Sequence, residues 1–99
     1  MDINKLMQQA QAMQKQLDDA NKELSSMEFE GSASNGLVKV KCNGDYKISS
    51  VDIDESILNK EDKDMIQDLV MIAVNEAINK VDAGKKQKFG YLASGLGIK

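Results

Sequence analysis

The chain has 99 residues, enough for one small domain, and only two Tyr, two Phe and no Trp, too few flat rings for a platform on which single-stranded bases stack. Its net charge is −3 at pH 7 and all 13 basic residues are lysine, so anion binding must come from local asymmetry, without the guanidinium fork that reads guanine. One cysteine and no histidine exclude an intrachain disulfide and the usual zinc-ligand clusters.

Ile3, Leu6, Ala10, Met13, Leu17, Ala20, Leu24 and Met27 recur at spacings of 3 and 4, an unbroken heptad seam. Asp2 is placed to cap it, and Gln, Lys, Met, Leu and Ala fill it, so a helix is predicted from Ile3 to about Ser26 within an arm spanning 1–27. At about 37 Å this helix outruns any sheet the remaining residues can build. Its inner end (Leu17, Ala20, Leu24) is expected in the core, and its outer end (Ile3, Leu6, Met7, Ala10) is expected to project or to meet a partner helix. Lys5 and Lys15 stand among Gln8, Gln9, Gln11, Gln14 and Gln16, whereas Asp18, Asp19 and Glu23 outweigh Lys22 nearer the body.

Residues 28–54 read as a three-stranded antiparallel meander punctuated by Asn35-Gly36 and Asn43-Gly44, each suited to the positive backbone angles of a type I′ turn. Val38, Val40 and Cys42 alternate with Lys39 and Lys41, giving one packed and one wet face, with Cys42 a small buried side chain rather than a reactive thiol. In the third strand Tyr46 and Ile48 share one parity and Val51 and Ile53 the other, which a bulge near Ser49 and Ser50 reconciles.

Seven acids lie between Asp52 and Asp68 against Lys60 and Lys63, and Asn59-Lys60-Glu61-Asp62 reads as the start of a second helix, 59–89, that runs at least to Lys80. Its Leu69–Val74 stretch is apolar nearly all round and needs cover on more than one side, from the sheet and from a second subunit. It is also the longest near-apolar run, far short of the roughly 18 residues that span a bilayer. Lys80, Lys85, Lys86, Lys88 and Lys99 face Asp82 alone in the last stretch, which loosens at Gly90, Gly95 and Gly97 into an expected flexible tail, 90–99.

In this order, Leu6-Met7-Gln8-Gln9-Ala10-Gln11-Ala12-Met13, Glu30-Gly31, Gly36-Leu37-Val38-Lys39-Val40, Asn43-Gly44, Val51-Asp52-Ile53-Asp54, Ala73-Val74-Asn75-Glu76-Ala77 and Gly95-Leu96-Gly97 resemble the YbaB/EbfC family of bacterial nucleoid-associated proteins. The resemblance implies an α+β fold with an α-β-β-β-α subunit and long projecting helices, a tweezer-like homodimer, and binding of double-stranded DNA without catalysis, in the cytoplasm and nucleoid. It places the DNA contacts on the helical arms, at Lys5, Gln8, Gln11 and Lys15 of the first helix and Lys85, Lys86 and Lys88 of the second. Glu55 stands where many members have Pro, and the lack of Arg leaves ammonium groups and amides for contact, which suits phosphate neutralisation better than sequence readout.

Without that resemblance, the seam reads equally as packing within one domain, the glutamines as helix-compatible filler, and the lysine-bearing tail as a solvated segment. Lys39, Lys41 and Lys47 form a competing basic patch of the kind that wet sheet faces carry for solubility. Neither a nucleophile with its base nor a phosphate-binding loop is present, so no enzyme, cofactor or small-molecule substrate is expected, and no membrane partner. The alternative from a different class is a cytoplasmic protein-interaction scaffold with little DNA affinity, which the net negative charge favours.

Overall fold

The computed structural model describes residues 2–95. Helix α1 (Ile3–Ser26) is followed by strands β1 (Glu28–Ala33), β2 (Val38–Asn43) and β3 (Ile48–Ile53), two 3₁₀ turns at Glu55–Ile57 and Lys60–Asp62, and helix α2 (Lys63–Gly95). The α1 bounds are those the seam predicts. Asp2 Oδ1 accepts the Asn4 N–H at 3.0 Å, and the Met27 N–H closes the last turn on the Glu23 and Leu24 carbonyls. α2 enters through the Lys60–Asp62 turn and continues beyond Phe89, so 90–95, read from sequence as loose tail, are helical; 96–99 lie outside the described residues. Gly90 costs a helix only about 1 kcal/mol, and Leu92 and Ala93 are good helix formers.

The sheet has the order β1-β2-β3, antiparallel throughout. Its inner face is built from three cross-strand rows: Phe29, Cys42 and Ile48; Gly31, Val40 and Val51; Ala33, Val38 and Ile53. Lys41 pairs with Ser50 and Cys42 with Ile48, so Ser49 is the extra residue of a bulge, and that one residue brings Ile48 onto the same face as Val51 and Ile53.

The two Asn-Gly turns differ. Asn35 (φ 58°) and Gly36 (φ 89°) both take positive angles, with the Leu37 N–H on the Ser34 carbonyl, as the type I′ reading requires. At the second, Gly44 does not, and Tyr46 carries the positive φ (62°) instead. Asn43 and Lys47 flank a three-residue loop, Asn43 Oδ1 accepts the Asp45 and Lys47 N–H groups, and the left-handed residue closes the loop. Gly44 is needed for a different reason: a Cβ there would lie 2.1 Å from the Leu24 carbonyl oxygen of α1.

α2 lies over β1 and β2, where Val38, Val40, Cys42, Ala73, Ala77 and Val81 are fully buried. Gly31 permits this approach, because a Cβ on it would stand 2.1 Å from the Ala73 carbonyl oxygen and 2.4 Å from the Ala77 nitrogen. On one flank of that contact line Glu76 Oε1 accepts the Ser32 N–H at 3.3 Å and Lys80 Nζ donates to the Glu30 carbonyl at 2.7 Å, blunting the β1 edge. The inner face of β3 is left largely uncovered, with Val51 49 % exposed and Ile48 43 %.

Candidate nucleic-acid interface

α1 is anchored only at its inner end. Ala20 and Leu24 are buried, the Leu24 carbonyl accepts the Gly44 N–H at 3.0 Å, and Ser25 Oγ donates to Asp45 Oδ1 at 2.9 Å. Leu17 is half-buried, and from Gln16 outward every described residue is exposed, with Ile3 at 71 %. The radius of gyration is 19.5 Å, against about 13 Å for a compact chain of this length, so the helix projects as its length predicts.

Successive residues turn by about 100° around a helix. The seam therefore occupies one side of α1, and Asn4, Gln8, Gln11, Lys15 and Lys22 fall on the opposite side. Lys5 lies beside them, and no acid occurs between Ile3 and Leu17. Asp18, the first acid inward, accepts from Gln14 Nε2 at 3.0 Å. Lys5, Gln8, Gln11 and Lys15 thus share an exposed stretch of the arm whose nearest acids in sequence are the capping Asp2 at its tip and Asp18 inward.

Lys85, Lys86 and Lys88 do not form one patch. Lys85 is half-buried with its nitrogen 4.2 Å from the centre of the Tyr46 ring, and the Tyr46 hydroxyl donates to Asp82. Lys86 is exposed. Lys88 forms an ion pair with Glu23 of α1. This pair links the inner part of α1 to α2, and Phe29 of β1 lies against Gly84 in the same stretch of α2. Between the two helices lies a cleft of about 580 Å³ floored by Ala20, Leu24, Met27 and Gly84 and rimmed by Asp19, Glu23 and Lys88.

The competing basic patch on the outer sheet face is counterbalanced. Lys39 stands between Ser32 and Asp52, and Lys41 between Glu30 and Ser50. The acids from Asp52 to Asp68 gather around the 3₁₀ turns and the first turns of α2, the end of that helix remote from Lys85, Lys86 and Lys88. Along α2, carboxylates therefore gather at the first turns and Lys85, Lys86 and Lys88 follow towards the other end.

Residues 1–96 match the model of the YbaB/EbfC DNA-binding family. The chain belongs to that family. It is a family of DNA-binding proteins rather than enzymes. Among similar proteins are a nucleoid-associated protein of Francisella philomiragia, 44 % identical over 98 % of this chain and 87 % of its own length, and one of Xylella fastidiosa, 45 % identical over 97 % and 88 %. The crystal structure of HP0035 from Helicobacter pylori superposes with a TM-score of 0.78 at 27 % identity, covering 93 % of this chain and 98 % of that one. The α-β-β-β-α order expected from the resemblance is the one observed. Sequence reading missed Glu23, Tyr46 and Asp82, which hold two family-implied lysines; the out-of-step parity of Tyr46 was the one signal available.

Proposed function

We propose that two copies of this chain associate through the uncovered apolar flank and bind duplex DNA with paired arms, as an architectural or regulatory component of the nucleoid. The observation that carries the reading is the outer arm of α1, exposed along its length and bearing Lys5 and Lys15 with no acid from Ile3 to Leu17. Gln8 and Gln11 lie on the same side, where amides donate to phosphate oxygens and position the duplex. Lys86 adds an exposed ammonium from α2, while Lys85 and Lys88 are held by the body.

Dimerisation is supported by exposed Ile48 and Val51 on β3 together with exposed Met71 and half-buried Ile78 on the flank of α2 opposite Glu76 and Lys80. The names of the Francisella and Xylella relatives support the nucleoid as the place of action.

The mechanism is phosphate neutralisation with counterion release, for which log affinity falls with log salt by about 0.9 per phosphate. Fluorescence anisotropy of a labelled duplex from about 50 to 200 mM salt tests it. Lys5→Ala and Lys15→Ala are expected each to weaken binding and to flatten the slope by about 1.8, about 0.9 for the lysine lost from each of the two copies. If no duplex binds at low salt, the reading fails, and the exposed seam at Ile3, Leu6 and Met7 then favours the scaffold, an arm gripping a partner protein.

A further inference from the structure

We infer that Glu23 is a built-in brake on DNA binding, holding Lys88 in the cleft between α1 and α2 and so withholding one ammonium group from the phosphate backbone. The inference rests on the duplex-binding reading above.

The two residues come from different helices and 65 positions of chain separate them, so the pair closes the cleft at the arm's base rather than supporting either helix locally. Its members are unequal. Lys88 is drawn in, with 28 % of its side chain exposed, while Glu23 remains 61 % exposed and loses little water to hold it. Fold stability does not demand the carboxylate, because the α1 anchor is made by buried Leu24 and Ala20 and by the Gly44 N–H. What the carboxylate does control is where the lysine's charge is directed. With Glu23 charged, Lys88 meets an anion of its own chain; with Glu23 neutral, its ammonium is free to extend from the cleft, near the arm that carries Lys5 and Lys15.

The test compares Glu23→Gln, Lys88→Gln and the double variant with the wild type in duplex binding across salt. Glu23→Gln is expected to bind about two- to fivefold tighter at low salt, with a log-log slope steeper by about 1.8, one phosphate more for each of the two copies. Lys88→Gln alone is expected to change affinity by less than about twofold, since that lysine is already withheld, and in the double variant it should cancel the gain. Asp19→Asn is the control, removing the same charge from the same cleft without releasing a lysine. It is expected to leave the slope unchanged. A Glu23→Gln slope equal to wild type, or a gain that survives Lys88→Gln, overturns the inference while leaving duplex binding intact; absence of binding by the wild type itself defeats the underlying reading instead.

Discussion

The Gly44 N–H donates to the Leu24 carbonyl at 3.0 Å, and the same approach leaves no room for a side chain at Gly44, where a Cβ would lie 2.1 Å from that oxygen. The β2–β3 turn therefore acts as a seat for the last turn of α1. Gly44→Ala should lift the arm from its seat and cost about 1–3 kcal/mol in urea denaturation, the usual range for overpacking. Hydrogen exchange should quicken in the inner turns of α1 and not in β1 or β2. Gly90 has nothing within 4 Å of its Cβ position, so Gly90→Ala should stabilise by roughly 0.5–1 kcal/mol instead. Equal effects at the two sites would refute the seat.

Tyr46 joins the same turn to α2. Its hydrogen bond to Asp82 holds the phenol above its ordinary value, with desolvation and the negative charge of Asp82 adding to the effect. Because the bond needs the phenolic proton, its contribution is complete below the unfolded tyrosine value near 10 and is lost as pH rises through the raised folded value. The difference between ultraviolet titrations of the wild type and Tyr46→Phe isolates this group. It should ionise above the ordinary value, and Asp82→Ala should bring it back; an ordinary value in the wild type would show the bond to be absent in solution.

Much of this arrangement was legible because it depends on local periodicity. The heptad seam located both ends of α1, the alternation of Val38, Val40 and Cys42 located the packed face, and the parity break after Ile48 located the bulge at Ser49. What depends on distant residues was not legible. The role of Gly44 is a contact with Leu24, and an Asn-Gly pair reads as a turn whatever lies opposite. Lys85 and Lys88 read as free charges because Tyr46 and Glu23 are remote in sequence. α2 passes through Gly90 because one helical glycine is a small penalty against a long helix.

α2 leaves the inner side of β3 largely uncovered at Ile48 and Val51, and this exposed apolar strip is where the proposed second copy would dock. Val51, in the middle of it, pairs with buried Val40 yet is 49 % exposed. Val51→Lys should accordingly leave the isolated subunit folded, since the lysine stem lies along the strand and its charge reaches water. The mass measured by sedimentation equilibrium should fall to half that of the wild type. Duplex affinity should fall with it, because two linked arms bind far more tightly than one. A wild type that sediments as a single chain would remove the dimer, and an undiminished mass in the variant would place its interface elsewhere.

The outer sheet face offers the sharpest contrast with the arm. Lys39 has Asp52 as its cross-strand neighbour and Lys41 has Glu30, so a phosphate approaching either lysine also meets a carboxylate at cross-strand distance. Nothing comparable lies between Ile3 and Leu17, where the polar side of α1 presents Lys5 and Lys15 among amides. Replacing Lys39 and Lys41 together by Gln therefore removes as much formal charge as replacing Lys5 and Lys15 together. The sheet pair should nevertheless leave duplex affinity within about twofold and the salt slope unaltered, whereas the arm pair should reduce the slope by about 0.9 for each lysine in each of the two copies. Anisotropy titrations of the two double variants side by side decide between a located interface and a diffuse response to net charge: equal losses in both would mean that the arm has no special part.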